Sequence, residues 1–263
     1  MDLGLHEKTA LVAASSRGLG LASALALARE GARVTLCARG RETLEAAAEH
    51  VRAETGAEVL AVPADLRDAG EIERVVAATV ERFGGLDVLV ENSGGPARGA
   101  FADLDDEDWR AAFEVVTLNL VRFVRAALPH MRSKHWGRIV CIQSMSVKQP
   151  VPGLDLSNGI RPGTAGLVKA IMPELAKDGV TINLVLPGVF ATARMHAGLA
   201  SADEAVRERA REELAPLGEG IPLGRLGEPE ELGSLVAFLA SERASYITGA
   251  AYQVDGGVIR SNL

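Results

Sequence analysis

Seven short β-branched or apolar runs punctuate the chain: TALVAA (9–14), RVTLCA (33–38), EVLAVPA (58–64), LDVLVEN (86–92), GRIVCIQS (137–144), VTINLVLPG (180–188) and AYQVDGG (251–257). Each reads as a strand. Between them the period changes. Segments such as LGLASALALAREG (19–31), RETLEAAAEHVRAETG (41–56) and AGEIERVVAATVERFGG (69–85) repeat apolar residues at helical spacing and close on glycine, a common way for a helix to end. Strand and helix in alternation predict a parallel seven-stranded sheet with helices on both faces, a doubly wound α/β fold. No low-complexity linker or tandem repeat interrupts the pattern, so one domain over residues 1–263 is predicted. The exception is 190–222, polar, charged and too long for an ordinary connection. It is expected to form a lid over a substrate pocket; a disordered insertion is the alternative.

Composition narrows the class. A chain of 263 residues, 48% hydrophobic and 24% charged, can bury the core of one large α/β domain. A formal net charge of -7 offers no basic field for phosphate backbones, which argues against nucleic acid or an anionic membrane as main partner. Cys37 and Cys141 are too few for a disulfide framework and lack the His/Cys spacing of a zinc site. No metal site is expected, and a reducing cytoplasm is. The N-terminus MDLGLHEKTA has no apolar signal core, and no run reaches the length of a membrane span, so a soluble protein is expected.

The first strand enters AASSRGLG and then a helix, placing Gly18 and Gly20 at a strand-to-helix turn whose backbone N–H groups can face a pyrophosphate. The order of motifs from this point resembles the short-chain dehydrogenase/reductase family, particularly its 3-oxoacyl-carrier-protein reductase-like members, over nearly the whole chain. The resemblance implies a Rossmann fold and a nicotinamide cofactor. It sets the family's T-G-x-x-x-G-x-G loop on Ala13, Ala14, Ser15, Ser16, Arg17, Gly18, Leu19 and Gly20, so the Thr and first Gly are replaced. Ala14 penalises any positive φ and Ala13 lacks a hydroxyl, so weakened cofactor affinity is expected.

Further matches follow along the chain. Cys37-Ala38-Arg39 ends the second strand without an acidic residue for a ribose 2′-hydroxyl, while Arg17 and Arg39 suit a 2′-phosphate. NADP(H) is therefore favoured over NAD(H), the alternative being two solvated surface arginines. The resemblance places the adenine side on Asp65 and Leu66, and Asn92 and Gly94 in ENSG match its N-N-A-G. Glu91 replaces the first Asn, and its charge should repel bound phosphates unless paired or turned away. Pro187, Gly188 and Thr192 match the segment that cradles the nicotinamide carboxamide. The stretch from Pro222 to Gly257 resembles the family's C-terminal part, which implies a homotetramer.

The catalytic half departs from the family. Asn119 and Ser144 fall where the resemblance expects an Asn in the long fourth helix and a Ser after the fifth strand. Thirteen residues on, the tyrosine position holds Ser157, and the lysine position holds Arg161. The only tyrosines are Tyr246 and Tyr252. A phenol of pKa about 10, lowered by a neighbouring Lys⁺, can protonate an alkoxide, whereas a serine is far too weak an acid. Arginine stays charged and cannot shuttle protons, though it can polarise a carbonyl or hold a carboxylate. Losing a general acid worth roughly 10² to 10⁴ adds about 3 to 5 kcal/mol to the barrier.

Local geometry enters as well. Pro162 cannot donate to the carbonyl of Asn158, so Asn158 is expected as the N-cap of the following helix, with Ser157 just before it. Pro173 is expected to bend that helix. His196 in the lid segment could donate a proton, a solvated loop position being the alternative. The acidic run from Asp103 to Asp108 is expected to start a helix.

Two functions remain open. One is an NADP(H)-preferring oxidoreductase acting on a carbonyl or hydroxyl of a small molecule or acyl thioester, a 3-oxoacyl thioester among the candidates, with Ser144 polarising the oxygen and Arg161 adding charge. The other is a catalytically silent nucleotide- or metabolite-binding relative that serves as sensor or assembly subunit.

Overall fold

The computed structural model describes residues 1–192, 204 and 220–261. All seven predicted strands form: β1 (Thr9–Val12), β2 (Arg33–Ala38), β3 (Val59–Pro63), β4 (Val88–Asn92), β5 (Gly137–Ile142), β6 (Val180–Pro187) and β7 (Ala251–Val254). They join in one sheet of order β3-β2-β1-β4-β5-β6-β7, every pair parallel. The order reverses between β1 and β4, and a crevice at the carboxyl ends of these two strands is where such sheets hold ligands.

Helices cover both faces because the strands are apolar on both. Val12, Leu36, Val90 and Val140 point to one side, where α1 (Gly18–Arg29), α2 (Arg41–Thr55) and α7 (Pro229–Leu239) pack. Leu11, Leu89, Ile139 and Cys141 point to the other, under α3 (Ala69–Phe83), α5 (Asn119–Arg132) and α6 (Asp155–Lys177). No described helix is long and apolar enough to cross a membrane.

The acidic run does begin a helix, α4 (Asp106–Phe113). Asp105 accepts hydrogen bonds from the backbone of Glu107 and Asp108, and Asp108 bonds back to the Asp105 N–H, a capping box that also sets negative charge at the helix start. Between α4 and α5 one π-helical turn, Glu114–Leu118, interrupts the regular spacing. It ends directly before Asn119. Such insertions recur beside functional groups because they re-aim the residues that follow.

The expectation for α6 needs correcting. The helix starts earlier, with Leu154 as N-cap, so Ser157 lies inside its first turn and Pro162 in its interior. The reason lies in the side chain of Asn158. Its Nδ2 donates to the Val151 carbonyl at 2.9 Å, and its Oδ1 accepts the Val151 N–H at 2.9 Å. An amide committed to this two-way clamp is not available to cap a helix. The helix then runs unbroken past Pro162 and Pro173 to Lys177.

Candidate active site

The turn after β1 is built despite its substitutions. Ser15 Oγ donates to Val12 O at 2.7 Å and accepts the Cys37 N–H at 3.1 Å, which ties the loop to β2. Ala14 adopts φ 47° and Gly18 φ 59°, so Ala14 takes up the left-handed conformation that penalises it. Asn92 Nδ2 reaches the Ala14 carbonyl at 3.4 Å. Gly20 is required from behind, since a Cβ there would stand 2.5 Å from that carbonyl and 2.9 Å from Asn92 Nδ2. The first turn of α1 carries no side-chain cap, so its N–H groups are left for an anion.

A cavity of about 830 Å³ opens above the carboxyl ends of β1 and β4. Ser16, Arg17, Gly18, Leu19, Arg39, Asp65, Leu66, Asn92, Gly94, Asn119 and Thr192 are among the residues that line it. Ten of the residues matched to a cofactor thus share one space, with Asn119 beside them. Gly20, Pro187 and Gly188 do not line it. Pro187 pairs with Val254 at the end of β6, and Gly188 leaves no room for a Cβ, which would fall 2.7 Å from Asp255 Cα. A groove of about 810 Å³ between α3 and α5 touches none of the sequence-predicted residues.

Arg67, a charged residue of the cavity wall, carried no signal of its own in the sequence. Arg67 Nε donates to both carboxylate oxygens of Asp65, at 3.0 and 3.1 Å. This bond, with smaller help from the Arg67 and Arg39 charges, draws the Asp65 carboxyl down to about 2. Asp65 and Arg67 are two apart in PADLRD, a spacing that in a turn lets the side chains meet. With Arg17 and Arg39, three arginines line the cavity.

Glu91 does not face bound phosphates. Period-two alternation sends it to the sheet face opposite Asn92, where it is fully buried and forms no part of the cavity wall. Burial pushes its carboxyl up to about 7, opposed first by the Arg161 charge and then by Ser93 and Gln143 beside it. Neither neighbour completes a well-formed hydrogen bond: among the described residues, both Glu91 oxygens, Ser93 Oγ and Gln143 Nε2 are without partners.

The tyrosine and lysine positions are closed off from the cavity. Ser157 and Arg161 are both buried, and neither lines the space that Asn119 and Ser93 border. Ser157 Oγ lies 2.9 Å from Ser146 Oγ and accepts Arg161 Nε at 3.0 Å. Arg161 Nη1 donates to Gln143 Oε1 at 3.0 Å. Its guanidinium loses basicity through burial and regains some from Glu91. Ser144 caps the short turn Met145–Val147 and accepts the Ser146 N–H at 3.2 Å. Gln143, Ser146 and Ser93 were missed in the sequence; a polar residue ending a buried strand was the available sign. His196 and most of the 190–222 segment lie outside the described residues.

A family model described as enoyl-(acyl carrier protein) reductase matches residues 13–259. The chain belongs to the short-chain dehydrogenase/reductase family. A 3-oxoacyl-[acyl-carrier-protein] reductase of Synechocystis sp. is 34% identical over 259 residues, 97% of this chain and 98% of its own. L-Sorbose reductase from Gluconobacter frateurii, solved with NADPH and L-sorbose, superposes with a TM-score of 0.92 at 32% identity, covering 99% of this chain and 100% of that one. A variant of actinorhodin polyketide ketoreductase, solved with NADPH, gives 0.86 at 36% identity, covering 97% and 98%. The fit of a family cofactor can be judged from this chain itself. The uncapped start of α1, the positive φ at Gly18 and the orphaned Asn119 Oδ1 at the cavity wall are suited to a nicotinamide dinucleotide.

Proposed function

We propose that this chain is an NADP(H)-preferring oxidoreductase that interconverts a carbonyl and a hydroxyl on a small-molecule or acyl-thioester substrate, with 3-oxoacyl thioesters as the first class to try. The observation that carries the reading is the cavity at the β1/β4 switch point, whose lining includes ten of the thirteen residues matched to a cofactor, Asn119 and three arginines. The relatives that reduce 3-oxoacyl groups, and the NADPH complexes of the structural neighbours, support it.

Ser16, Gly18 and Leu19 at the start of α1 would receive the pyrophosphate, with Gly20 shaping the turn. Arg17 and Arg39 would take the 2′-phosphate by charge-assisted hydrogen bonds. Asp65 and Leu66 would border the adenine. Asn92, Gly94, Pro187, Gly188 and Thr192 would form the nicotinamide side. When bound, the cofactor supplies or accepts the hydride. Ser144 would polarise the substrate oxygen, Asn119 would help to form the wall beside it, and the Ser157–Arg161 pair would hold positive charge behind them. Residues 190–222 would close over the substrate. Four chains would assemble through the C-terminal part, a state that sedimentation of the purified protein reads directly.

The test is a titration with NADPH and, separately, NADH, followed by nicotinamide fluorescence and calorimetry. Saturable binding with NADPH preferred, and then turnover with a 3-oxoacyl thioester, is the expected result. Binding of neither cofactor removes the reading. One observation favours the second reading, a silent nucleotide binder: the buried Ser157 is engaged by Ser146 and Arg161 and does not line the cavity. Tight NADPH binding without turnover of any carbonyl would favour it. Turnover that Ser144→Ala abolishes would exclude it.

A further inference from the structure

Among the described residues, four polar atoms without a hydrogen-bond partner stand together behind the cavity wall: both carboxylate oxygens of Glu91, Ser93 Oγ and Gln143 Nε2. Orphaned buried polar atoms are few in folded proteins, because each has given up water for nothing. A group of them around one carboxyl calls for an explanation beyond packing.

The surroundings of that carboxyl are specific. From α6 it faces Arg161, whose guanidinium is fixed by Ser157 and Gln143. From β5 it faces Gln143 and the Cys141 thiol, directly across the ladder, which burial and the Glu91 charge keep protonated. From the end of its own strand it faces Ser93, which also forms part of the cavity wall. Of the groups that face Glu91, Ser93 alone lines the cavity.

Resting on the reductase reading above, we propose that Glu91 holds the proton that a tyrosine would otherwise supply, and that the Ser93 hydroxyl passes it to the substrate oxygen. As hydride reaches the carbonyl carbon, the oxygen takes the Ser93 hydroxyl proton while Ser93 Oγ takes the carboxyl proton of Glu91. One O–H bond breaks for each that forms. Glu91 is left as a carboxylate facing the Arg161 guanidinium, and solvent restores its proton before the next turnover. Ser93 Oγ, covered in this structure, has to turn into the cavity to meet the substrate. Glu91 acts only through it, as a positioning residue for the proton. A serine alone is too weak an acid for the task, whereas a carboxyl raised by burial titrates near neutrality and can drive the relay. The Arg161 in place of lysine then has a function that needs no proton transfer: its fixed charge steadies the carboxylate produced.

The test uses the full-length protein with NADPH and a panel of 3-oxoacyl thioesters and simple ketones. Wild type, Glu91→Gln, Glu91→Asp and Ser93→Ala are compared. NADPH affinity is measured first and should be unchanged in Glu91→Gln and Glu91→Asp, since Glu91 lies off the cavity. In the wild type kcat/KM for reduction should be level below neutrality and fall about tenfold per pH unit above it. Glu91→Gln and Ser93→Ala should each lose roughly 10² to 10⁴ in rate, and Glu91→Gln should lose the pH break. Glu91→Asp should restore part of the rate together with the break.

An infrared difference spectrum, wild type minus Glu91→Gln, taken from roughly pH 5 to pH 9, reads the carboxyl without any substrate. A protonated carbonyl band that fades through neutrality is expected. A Glu91→Gln enzyme with an unchanged pH break overturns the proposal, and so does a Glu91 carboxyl that is ionised across the whole range. Wild type that binds NADPH yet reduces nothing in the panel overturns the reductase reading and the delivery step with it. In that case the infrared titration still reports whether Glu91 holds a proton.

Discussion

At Ala14 the backbone takes φ 47°, a conformation that costs an L-residue with a Cβ roughly 1 to 2 kcal/mol. The Ala14 methyl group packs only partly buried against the core, a contact worth less than the strain, while the residue's carbonyl is used by Asn92. Ala14→Gly should therefore raise stability by about 1 kcal/mol, the relief being partly offset by the freedom glycine gains when unfolded. Chemical denaturation midpoints at constant slope would show it, and a loss of stability would mean that the turn is not strained. Glu91 gives a pH-dependent counterpart. Its folded carboxyl lies at about 7 against an ordinary 4.5, so the folded chain holds a proton that the unfolded chain releases. Its contribution is fully present below the unfolded value and is lost as pH rises through the folded one. The wild type should thus lose roughly 3 kcal/mol relative to Glu91→Gln between about pH 4.5 and pH 7. Whatever constant penalty the substitution brings by leaving Arg161 without its carboxylate, the slope is independent of it. Parallel denaturation curves across that window would show that Glu91 ionises freely.

Among the elements, α6 carries the greatest local conflict. Pro162 lies in its interior, where a proline removes one helical hydrogen bond and crowds the preceding turn, at a cost of about 3 kcal/mol. Its side chain is exposed, so Pro162→Ala returns a donor for the Asn158 carbonyl without disturbing the core. A gain of about 1 to 3 kcal/mol in thermal or chemical denaturation is expected; no gain would mean that the helix has already adapted to the ring. The same helix shows what the sequence could and could not convey. Strand and helix positions were legible because burial on both faces imprints apolar runs such as VLV at 88–90 and helical periodicity between them, patterns local to each element. That most of the residues matched to a cofactor would line one cavity was legible because the turn at Gly18 and the ends of successive strands carry their spacing with them. The start of α6 was not, since it depends on an amide clamp from Asn158 back to Val151, which no capping preference encodes. Nor was the fate of Glu91, which is decided by the face it occupies and by an arginine on a helix far downstream in the chain.

For the whole molecule, the formal charge of -7 and the three arginines that line the cavity pull in opposite directions on an anionic dinucleotide. Distance decides between them. The net charge acts through solvent over a Debye length, about 30 Å at 0.01 M salt and about 3 Å at 1 M. A guanidinium in contact with a phosphate keeps much of its bond at either extreme and adds geometric selectivity. If diffuse repulsion dominated, added salt would tighten NADPH binding. If the arginines dominate, added salt weakens it, because at short range the attraction being screened outweighs the repulsion. The clustered placement of Arg17, Arg39 and Arg67 favours the second outcome. Asp65 cancels part of the positive field by pairing with Arg67, and on the proposed reading Arg17 and Arg39 are the pair that discriminates. Arg39→Ala should therefore weaken NADPH by about 10- to 100-fold, the worth of one hydrogen bond to a charged group, flatten its salt dependence and leave NADH nearly unchanged. Calorimetric titrations of both cofactors at low and high salt measure all three quantities. An equal loss for NADPH and NADH would show that Arg39 serves the shared pyrophosphate, and that selectivity between the two cofactors comes from elsewhere on the wall.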